Sequence, residues 1–166
     1  MKEYLEYQSI ASKRVKIMNK PFLDTYGSQS TAELIALKNT YRIDSLVLAF
    51  EQAIRAKSET YLTESERFVL AIEAMEREVN NGGWDQFFLN TNNEFDSILV
   101  NALSAIDCPN NAEIASQAIA AFQGGAEMED FEELDNQYFA GTEPIEDRLF
   151  QYIERHADEI RLLPNL

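Results

Sequence analysis

Hydrophobic side chains recur every three or four residues along most of the chain from residue 30 onward. The clearest stripe is Phe68, Ile72, Met75 and Val79, with separations of four, three and four residues. Such spacing places side chains on one face of an α-helix, whereas a half-buried strand alternates at every second residue. No stretch shows sustained alternation with β-branched residues, the pattern typical of strands. The pattern therefore predicts an all-α fold, a compact bundle of about six to eight helices without a sheet.

Capping residues mark where several of these helices begin. Two pairs have the spacing of a capping box, in which each side chain accepts a hydrogen bond from the other residue's backbone amide. They are Ser30 with Glu33 and Thr63 with Glu66. Asp44 is predicted to be the N-cap of the helix between them, because an aspartate side chain accepts from the free amides of a first helical turn.

Glycine, asparagine and proline mark the remaining boundaries. The helix after Thr63 is predicted to stop at residues 80–83, where a glycine can close the last turn in a left-handed conformation. A short helix follows over residues 84–90. Further helices are predicted at about 95–106, from Asn110 to the glycines at 124–125, from Glu129 to Ala140, and from about Thr142 with Pro144 in its first turn. The last two should bury Phe131, Leu134, Tyr138, Ile145, Leu149 and Ile153.

Acidic side chains are concentrated in the last two thirds of the chain, whose formal net charge is −15 overall. Residues 1–57 contain nine Lys or Arg and six Asp or Glu, a net charge of +3. Residues 58–166 contain five Lys or Arg and 23 Asp or Glu, a net charge of −18. Between Arg77 and Arg148 there are 15 acids and no lysine or arginine. Such charge opposes folding and repels nucleic acid, so we expect no direct binding of DNA or RNA. A merely solvated acidic surface stays an alternative to a functional one.

The composition divides the chain into a short basic segment and one helical domain. Lys13, Arg14, Lys16 and Lys20 precede Pro21. We interpret residues 1–28 as a basic arm or short helix and residues 29–166 as a single all-helical domain. The N-terminal sequence lacks the basic and apolar regions of a signal peptide, and no apolar run is long enough to cross a membrane. We therefore expect a cytoplasmic protein without membrane contacts.

One acidic segment follows the glycines at 124–125. Its six acids lie within nine residues and are Glu127, Glu129, Asp130, Glu132, Glu133 and Asp135. Residues three or four apart on a helix surface lie about 5–6 Å from one another. Carboxylates at this spacing approximate the charge pattern of phosphates along a DNA strand. The segment is therefore the candidate partner-binding face, on which the acids would replace phosphates.

Signatures of catalysis are scarce. The chain has one histidine, His156, which we interpret as a surface residue in the last turn of a helix. Its one cysteine, Cys108, is interpreted as a half-buried hydrophobic residue, and it has no second cysteine for an intrachain disulfide. No nucleotide-binding, zinc-protease or calcium-loop motif occurs. We predict no enzyme, no catalytic residue, no metal site and no cofactor.

The sequence also carries a motif, Asn81-Gly82-Gly83-Trp84-Asp85-Gln86-Phe87-Phe88-Leu89-Asn90. Over about residues 30–160 the chain resembles a bacterial family of small helical proteins with an NGG-x-x-Q-x-x-x-N motif after a long helix. The family is named for a DNA-mimic protein. The resemblance implies an all-α fold, a dimer, and an acidic surface that sequesters a helix-turn-helix regulator from its operator.

The motif residues Asn81, Gly82, Gly83, Gln86 and Asn90 are interpreted as structural. The glycines suit a tight turn between two helices, and the three polar side chains are expected to bond free backbone groups at that corner. Trp84 is interpreted as a core residue. The alternative is a polar ligand site with Trp84 and Phe87 as its apolar wall.

Taken together, the sequence predicts an acidic, non-catalytic binding protein. The leading hypothesis is a DNA mimic that sequesters a basic DNA-binding protein, such as a helix-turn-helix transcriptional regulator. One alternative is an immunity or inhibitor protein against a basic toxin. Another is a helical, homo-oligomeric interaction module, such as a homodimer, without DNA mimicry.

Overall fold

Seven α-helices make up the fold in the computed structural model, which describes residues 20–24 and 28–162. They are α1 (Thr31–Ala36), α2 (Ile43–Arg55), α3 (Glu64–Thr91), α4 (Leu99–Ala105), α5 (Pro109–Gln123), α6 (Glu132–Ala140) and α7 (Ile145–Arg155). Short 3₁₀ turns lie at Leu37–Asn39, Glu59–Tyr61 and Met128–Phe131. No strand occurs within the described residues, so the predicted all-α bundle is confirmed.

The helix starts confirm two predicted caps and correct a third. Ser30 with Glu33 and Thr63 with Glu66 form the expected reciprocal capping boxes. Asp44, however, lies inside the first turn of α2, and the N-cap position is occupied by Arg42. The Asp44 carboxylate bonds the guanidinium of Arg42 and the amide of the residue that follows it. The predicted cap was therefore two residues late.

The long helix α3 bends sharply where the sequence predicts a break. Gly82 (φ −161°, ψ 20°) and Gly83 (φ 78°, ψ −173°) both leave the helical conformation. The second of these combinations is open to glycine and strongly disfavoured for residues with a Cβ atom. The helix therefore consists of two arms, residues 64–81 and 84–91, and the predicted stop and short second helix are both present.

The core is continuous and is built from the predicted helix faces. The α3 stripe of Phe68, Ile72, Met75 and Val79 is buried, as are the inward residues of α6 and α7 and of the turn before α6. Those inward residues are Phe131, Leu134, Tyr138, Ile145, Leu149 and Ile153. Trp84 and Phe87 lie at its centre with ring centroids 5.5 Å apart. Both side chains are fully buried, in agreement with the interpretation of Trp84 as a core residue, and the alternative ligand site at the motif stays a prediction.

Several boundaries in the second half differ from the predictions. The helix expected at about 95–106 is shorter and spans Leu99–Ala105. The helix expected from Glu129 to Ala140 is split into a 3₁₀ turn and α6. Asp130 accepts the Glu127 amide at 2.8 Å at the start of that turn. Helix α7 begins at Ile145, so Pro144 precedes the helix and does not lie in its first turn as predicted. The division into an arm of residues 1–28 and one domain stays a prediction, since residues 1–19 and 25–27, including Lys13, Arg14 and Lys16, lie outside the described residues.

No helix among the described residues combines the length and apolar character needed to cross a membrane.

Candidate functional site

The acidic segment that precedes and begins α6 lies mostly on the surface. Glu127, Glu129, Asp130, Glu132 and Glu133 are all exposed. Within residues 20–24 and 28–162, none of the five has a lysine or arginine nitrogen within 4.0 Å. We call these five residues the outer acids. Their charge is not neutralised by the described part of the chain and is open to a partner.

Asp135, the sixth predicted member of that segment, points inward instead. It is half-buried, and its Oδ1 accepts the backbone amide of Trp84 at 2.8 Å. A Cβ atom on Gly83 would lie only 2.4 Å from the other carboxylate oxygen. Asp135 therefore caps the second arm of α3 at the kink. Asp135 is therefore not part of the exposed acidic face to which the sequence assigned it.

The motif around the kink is held together by one carboxylate, that of Glu78. Its Oε2 accepts hydrogen bonds from Asn90 at 2.7 Å and from Gln86 at 3.1 Å, and its Oε1 accepts one from Arg77 at 3.1 Å. These bonds, that of Asn90 first, hold the pKa of Glu78 below its ordinary value. Glu78 lies on the first arm and both amides on the second, so the contact fixes the angle between the arms.

This geometry corrects one expectation for the motif. Gln86 and Asn90 bond a side chain across the kink, not the free backbone groups. The Asn81 side chain is exposed and makes no hydrogen bond with a described residue. Glu78 was not among the predicted motif residues, because its contacts with Gln86 and Asn90 form only across the kink.

A second group of carboxylates lies inside the molecule, and we call Glu73, Glu76 and Glu146 the inner acids. Burial raises the pKa of Glu73 to about 8, and the charges of Glu51, Glu146 and Glu76 add to the effect. Burial likewise raises the pKa of Glu146 to about 7 and that of Glu76 above its ordinary value. None of these three residues was among the predicted site residues.

A cavity of about 360 Å³ opens beside the inner acids. It lies between the first arm of α3, the end of α6 and the start of α7. Glu76 and Glu146 line it, together with Asn80, Asn111, Tyr138 and Phe139. The Tyr138 hydroxyl donates to Glu76 and accepts from Asn80 at 3.1 Å. The walls are thus mainly carboxylate, amide and aromatic.

Beside the cavity, Glu143 caps α5 from a distant part of the chain. Its carboxylate accepts the backbone amides of Asn110 and Asn111, both at 2.9 Å, and the Asn111 side-chain amide at 2.7 Å. Burial alone would raise the pKa of Glu143, but these bonds outweigh burial and the pKa is lowered. Helix α5 begins at Pro109, and the predicted start at Asn110 was one residue late.

The one histidine and the one cysteine of the sequence pack against other residues of the fold. His156 lies just past the end of α7, half-buried, with its ring stacked on Tyr152 at 4.0 Å and Nδ1 2.9 Å from the Tyr152 carbonyl oxygen. Cys108 is fully buried, more deeply than predicted, and burial raises the pKa of its thiol to about 11. Within residues 20–24 and 28–162, no three histidine, cysteine or acidic side chains are arranged to hold a metal ion.

The family model of DMP19-like protein matches residues 60–156, more than half of the 166 residues. The chain belongs to the DMP19-like protein family. No curated protein and no solved structure matches it significantly. The region shared with other DMP19-like proteins contains the α3 kink, all outer acids, the inner acids and the cavity. The match is narrower than the resemblance over about residues 30–160 seen in the sequence, since α1 and α2 lie outside it.

Proposed function

We propose that this DMP19-like protein is a non-catalytic, cytoplasmic DNA mimic that sequesters a basic DNA-binding protein, such as a helix-turn-helix regulator. The observation that carries the proposal is the group of outer acids, Glu127, Glu129, Asp130, Glu132 and Glu133. They are exposed, close in sequence, and without a basic partner in the described part of the chain. A surface that binds DNA through lysine and arginine would find in them the charges it meets on a phosphate backbone.

The local geometry supports this use of the outer acids. Glu129 and Asp130 lie three residues before Glu132 and Glu133, a separation that places side chains about 5–6 Å apart on a helical surface. Asp130 holds the Glu127 amide, which orders the turn that presents the first acids. Ordered carboxylates lose less side-chain freedom on binding than mobile ones, and this favours affinity.

The test compares two variants with the same net charge. One carries Glu129→Lys, Glu132→Lys and Glu133→Lys in the acidic segment. The matched control carries Glu59→Lys, Glu94→Lys and Asp158→Lys at three exposed acids elsewhere. Each tagged protein is used to capture partners from a lysate of the native cell at about 50 and 300 mM salt, since Coulomb attraction between exposed charges is screened over this range. Circular dichroism confirms that both variants fold.

We expect the unchanged protein and the control to capture a basic DNA-binding protein at low salt, and the acidic-segment variant to lose it. Added duplex DNA should displace the captured protein, because both compete for one surface. Equal capture by both variants would overturn the assignment of this face. Recovery of a basic nuclease toxin would instead favour the immunity protein, and self-association that persists at high salt would favour the homo-oligomeric module.

A further inference from the structure

A second cavity, of about 570 Å³, lies where the loop after α4 meets the starts of α5 and α7. This volume falls within the range of small-ligand sites. Its polar lining residues are Ser104, Asp107, Asn110, Thr142, Glu143 and Arg148. We call it the arginine cavity, because Arg148 is the basic residue of its wall. In the sequence, Arg148 is the first lysine or arginine after Arg77, so it places a positive charge in the most acidic part of the chain.

Arg148 has more hydrogen-bond donors than its neighbours accept. It is half-buried on α7, and its Nη1 lies 4.0 Å from the buried Sγ of Cys108, a weak acceptor. No carboxylate oxygen lies within 4.0 Å of its guanidinium in the described part of the chain. A guanidinium has five N–H donors and a permanent charge, and partial burial removes some of the water that would bond them. An oxyanion in the cavity would replace that water and stabilise the charge.

The two carboxylates of the wall have partners of their own. Glu143 accepts two backbone amides and one side-chain amide at the start of α5, where it serves as a helix cap. The Asp107 carboxylate lies 3.9 Å from the guanidinium of Arg155. The charge of Arg148 acts on Glu143 from beyond ion-pair distance. The positive charge of Arg148 is therefore available to a ligand.

The remaining polar groups of the wall divide into donors and acceptors. The hydroxyl of Thr142 and the side-chain amide of Asn110 make no hydrogen bond with a described residue, so both can donate to a ligand. The Ser104 hydroxyl already donates to a carbonyl oxygen of α4 at 2.9 Å, so its remaining capacity is that of an acceptor. The Asp107 carboxylate is an acceptor as well. A ligand that satisfies both sets carries an anionic group together with an N–H or O–H donor.

We propose that the arginine cavity binds a small carboxylate with a hydroxyl or ammonium group on the neighbouring carbon atom. The carboxylate meets the Arg148 guanidinium through two parallel hydrogen bonds, the strong geometry of this pair. Thr142 and Asn110 add donors to it, and Ser104 and Asp107 accept from the hydroxyl or ammonium group. A phosphate suits this wall less well, because it carries about −1.5 to −2 charges at pH 7 and both wall carboxylates repel it more strongly.

Binding is measured by calorimetry and NMR on the full chain at pH 7, with propionate, lactate, L-alanine and inorganic phosphate as probes. The first three share a three-carbon acid skeleton and differ only at the carbon next to the carboxylate, which carries hydrogen, hydroxyl or ammonium. We expect lactate or L-alanine to bind about tenfold tighter than propionate, since only they donate to the wall acceptors. Phosphate should bind most weakly. The Nε–H signal of Arg148 and the side-chain amide signals of Asn110 should shift.

Matched variants separate this site from general effects of charge. Arg148→Gln should weaken binding of the tighter probe by at least about tenfold. Arg148→Lys keeps the charge but loses the paired donors, so it should weaken binding less. Arg67→Gln makes the same chemical change at an exposed arginine outside the cavity and should leave affinity unchanged. Thr142→Val removes one hydroxyl at an exposed position and should weaken binding about threefold, so it keeps the test decisive if Arg148→Gln fails to fold.

The proposal is overturned if none of the three carboxylates binds at millimolar concentration. It is equally overturned if propionate or phosphate binds as tightly as lactate and L-alanine, or if Arg67→Gln weakens binding as much as Arg148→Gln. None of the outer acids lines the arginine cavity. These results therefore leave the proposed function untouched, since its test measures capture of a protein by the outer acids.

Discussion

The outer and inner acids are the same residue types in opposite surroundings. The outer acids of residues 127–133 are exposed to water. The inner acids Glu73, Glu76 and Glu146 are buried or half-buried, and their pKa values are raised chiefly by burial. An ionised carboxylate costs little free energy where it is exposed to water, and much more where it is buried. The contrast shows that net charge alone does not locate function in this protein.

The difference predicts separate consequences for the two groups. Removing an inner acid should change stability and its pH dependence, because the folded state must either protonate the group or bury its charge. Removing outer acids should leave stability nearly unchanged, because water already solvates them. Asp135 joins the two regions: it belongs to the acidic segment in sequence and to the interior in structure.

The largest effect is expected at Glu73. Its folded pKa of about 8 exceeds the ordinary value of 4.5, so between these values the folded state binds a proton that the unfolded state lacks. The free energy of unfolding therefore falls as pH rises from about 5 to 8. Glu73→Gln should raise it by about 4 kcal/mol at pH 8 and by less than about 1 kcal/mol at pH 5. Urea unfolding followed by circular dichroism at both pH values measures this.

Glu129→Gln is the control for this prediction, since the same chemical change at an exposed acid should shift stability by less than about 0.5 kcal/mol at either pH. Glu146, whose pKa is raised to about 7, should retain part of the pH dependence in the Glu73 variant. A Glu73→Gln protein that is less stable than the unchanged protein at pH 8 would show that the carboxylate has a stabilising partner.

The next effect is expected where Asp135 meets the kink. Gly83→Ala places a methyl group against the Asp135 carboxylate and on a backbone with φ 78°, and should destabilise the protein by about 2 kcal/mol. Gly125 also has a positive φ, of 86°, but a Cβ there meets nothing within 4 Å. Gly125→Ala should therefore show only the backbone strain, about 1 kcal/mol. Thermal unfolding of both variants measures these losses of stability. Equal losses would mean that the Asp135 side chain moves away from the added methyl group without an energetic cost.

Local features of the fold were predictable, and contacts between distant segments were not. The capping boxes, the α3 stripe and the break at residues 82–83 follow from spacings of a few residues, and the structure confirms them. The cap of α5 by Glu143 joins residues 32 and 33 positions apart. That pairing exists only after the helices have packed, so neighbouring sequence carries no sign of it.

The same distinction applies to the acids. The exposed positions of Glu129, Asp130, Glu132 and Glu133 follow from the helix period once Phe131 and Leu134 face the core. The burial of Glu73 and Glu146 depends on the packing of α3 against α7. Neither residue was among the predicted site residues, because this packing joins distant segments. Asp135 was assigned to the exposed face from its place among the six acids, but it accepts the Trp84 amide at the kink of α3.

The smallest effect is expected at the outer acids themselves. A variant with Glu129→Gln, Glu132→Gln and Glu133→Gln loses like-charge repulsion, which destabilises, and also loses acids near a helix start, which stabilise. The two contributions oppose each other and are both screened by salt. The free energy of unfolding should therefore change by less than about 1 kcal/mol, and by less still in 0.5 M salt. Urea unfolding at two salt concentrations measures this. A loss of stability as large as the change expected for Glu73→Gln would mean that the outer acids stabilise the fold. Their presence would then be explained without a binding partner.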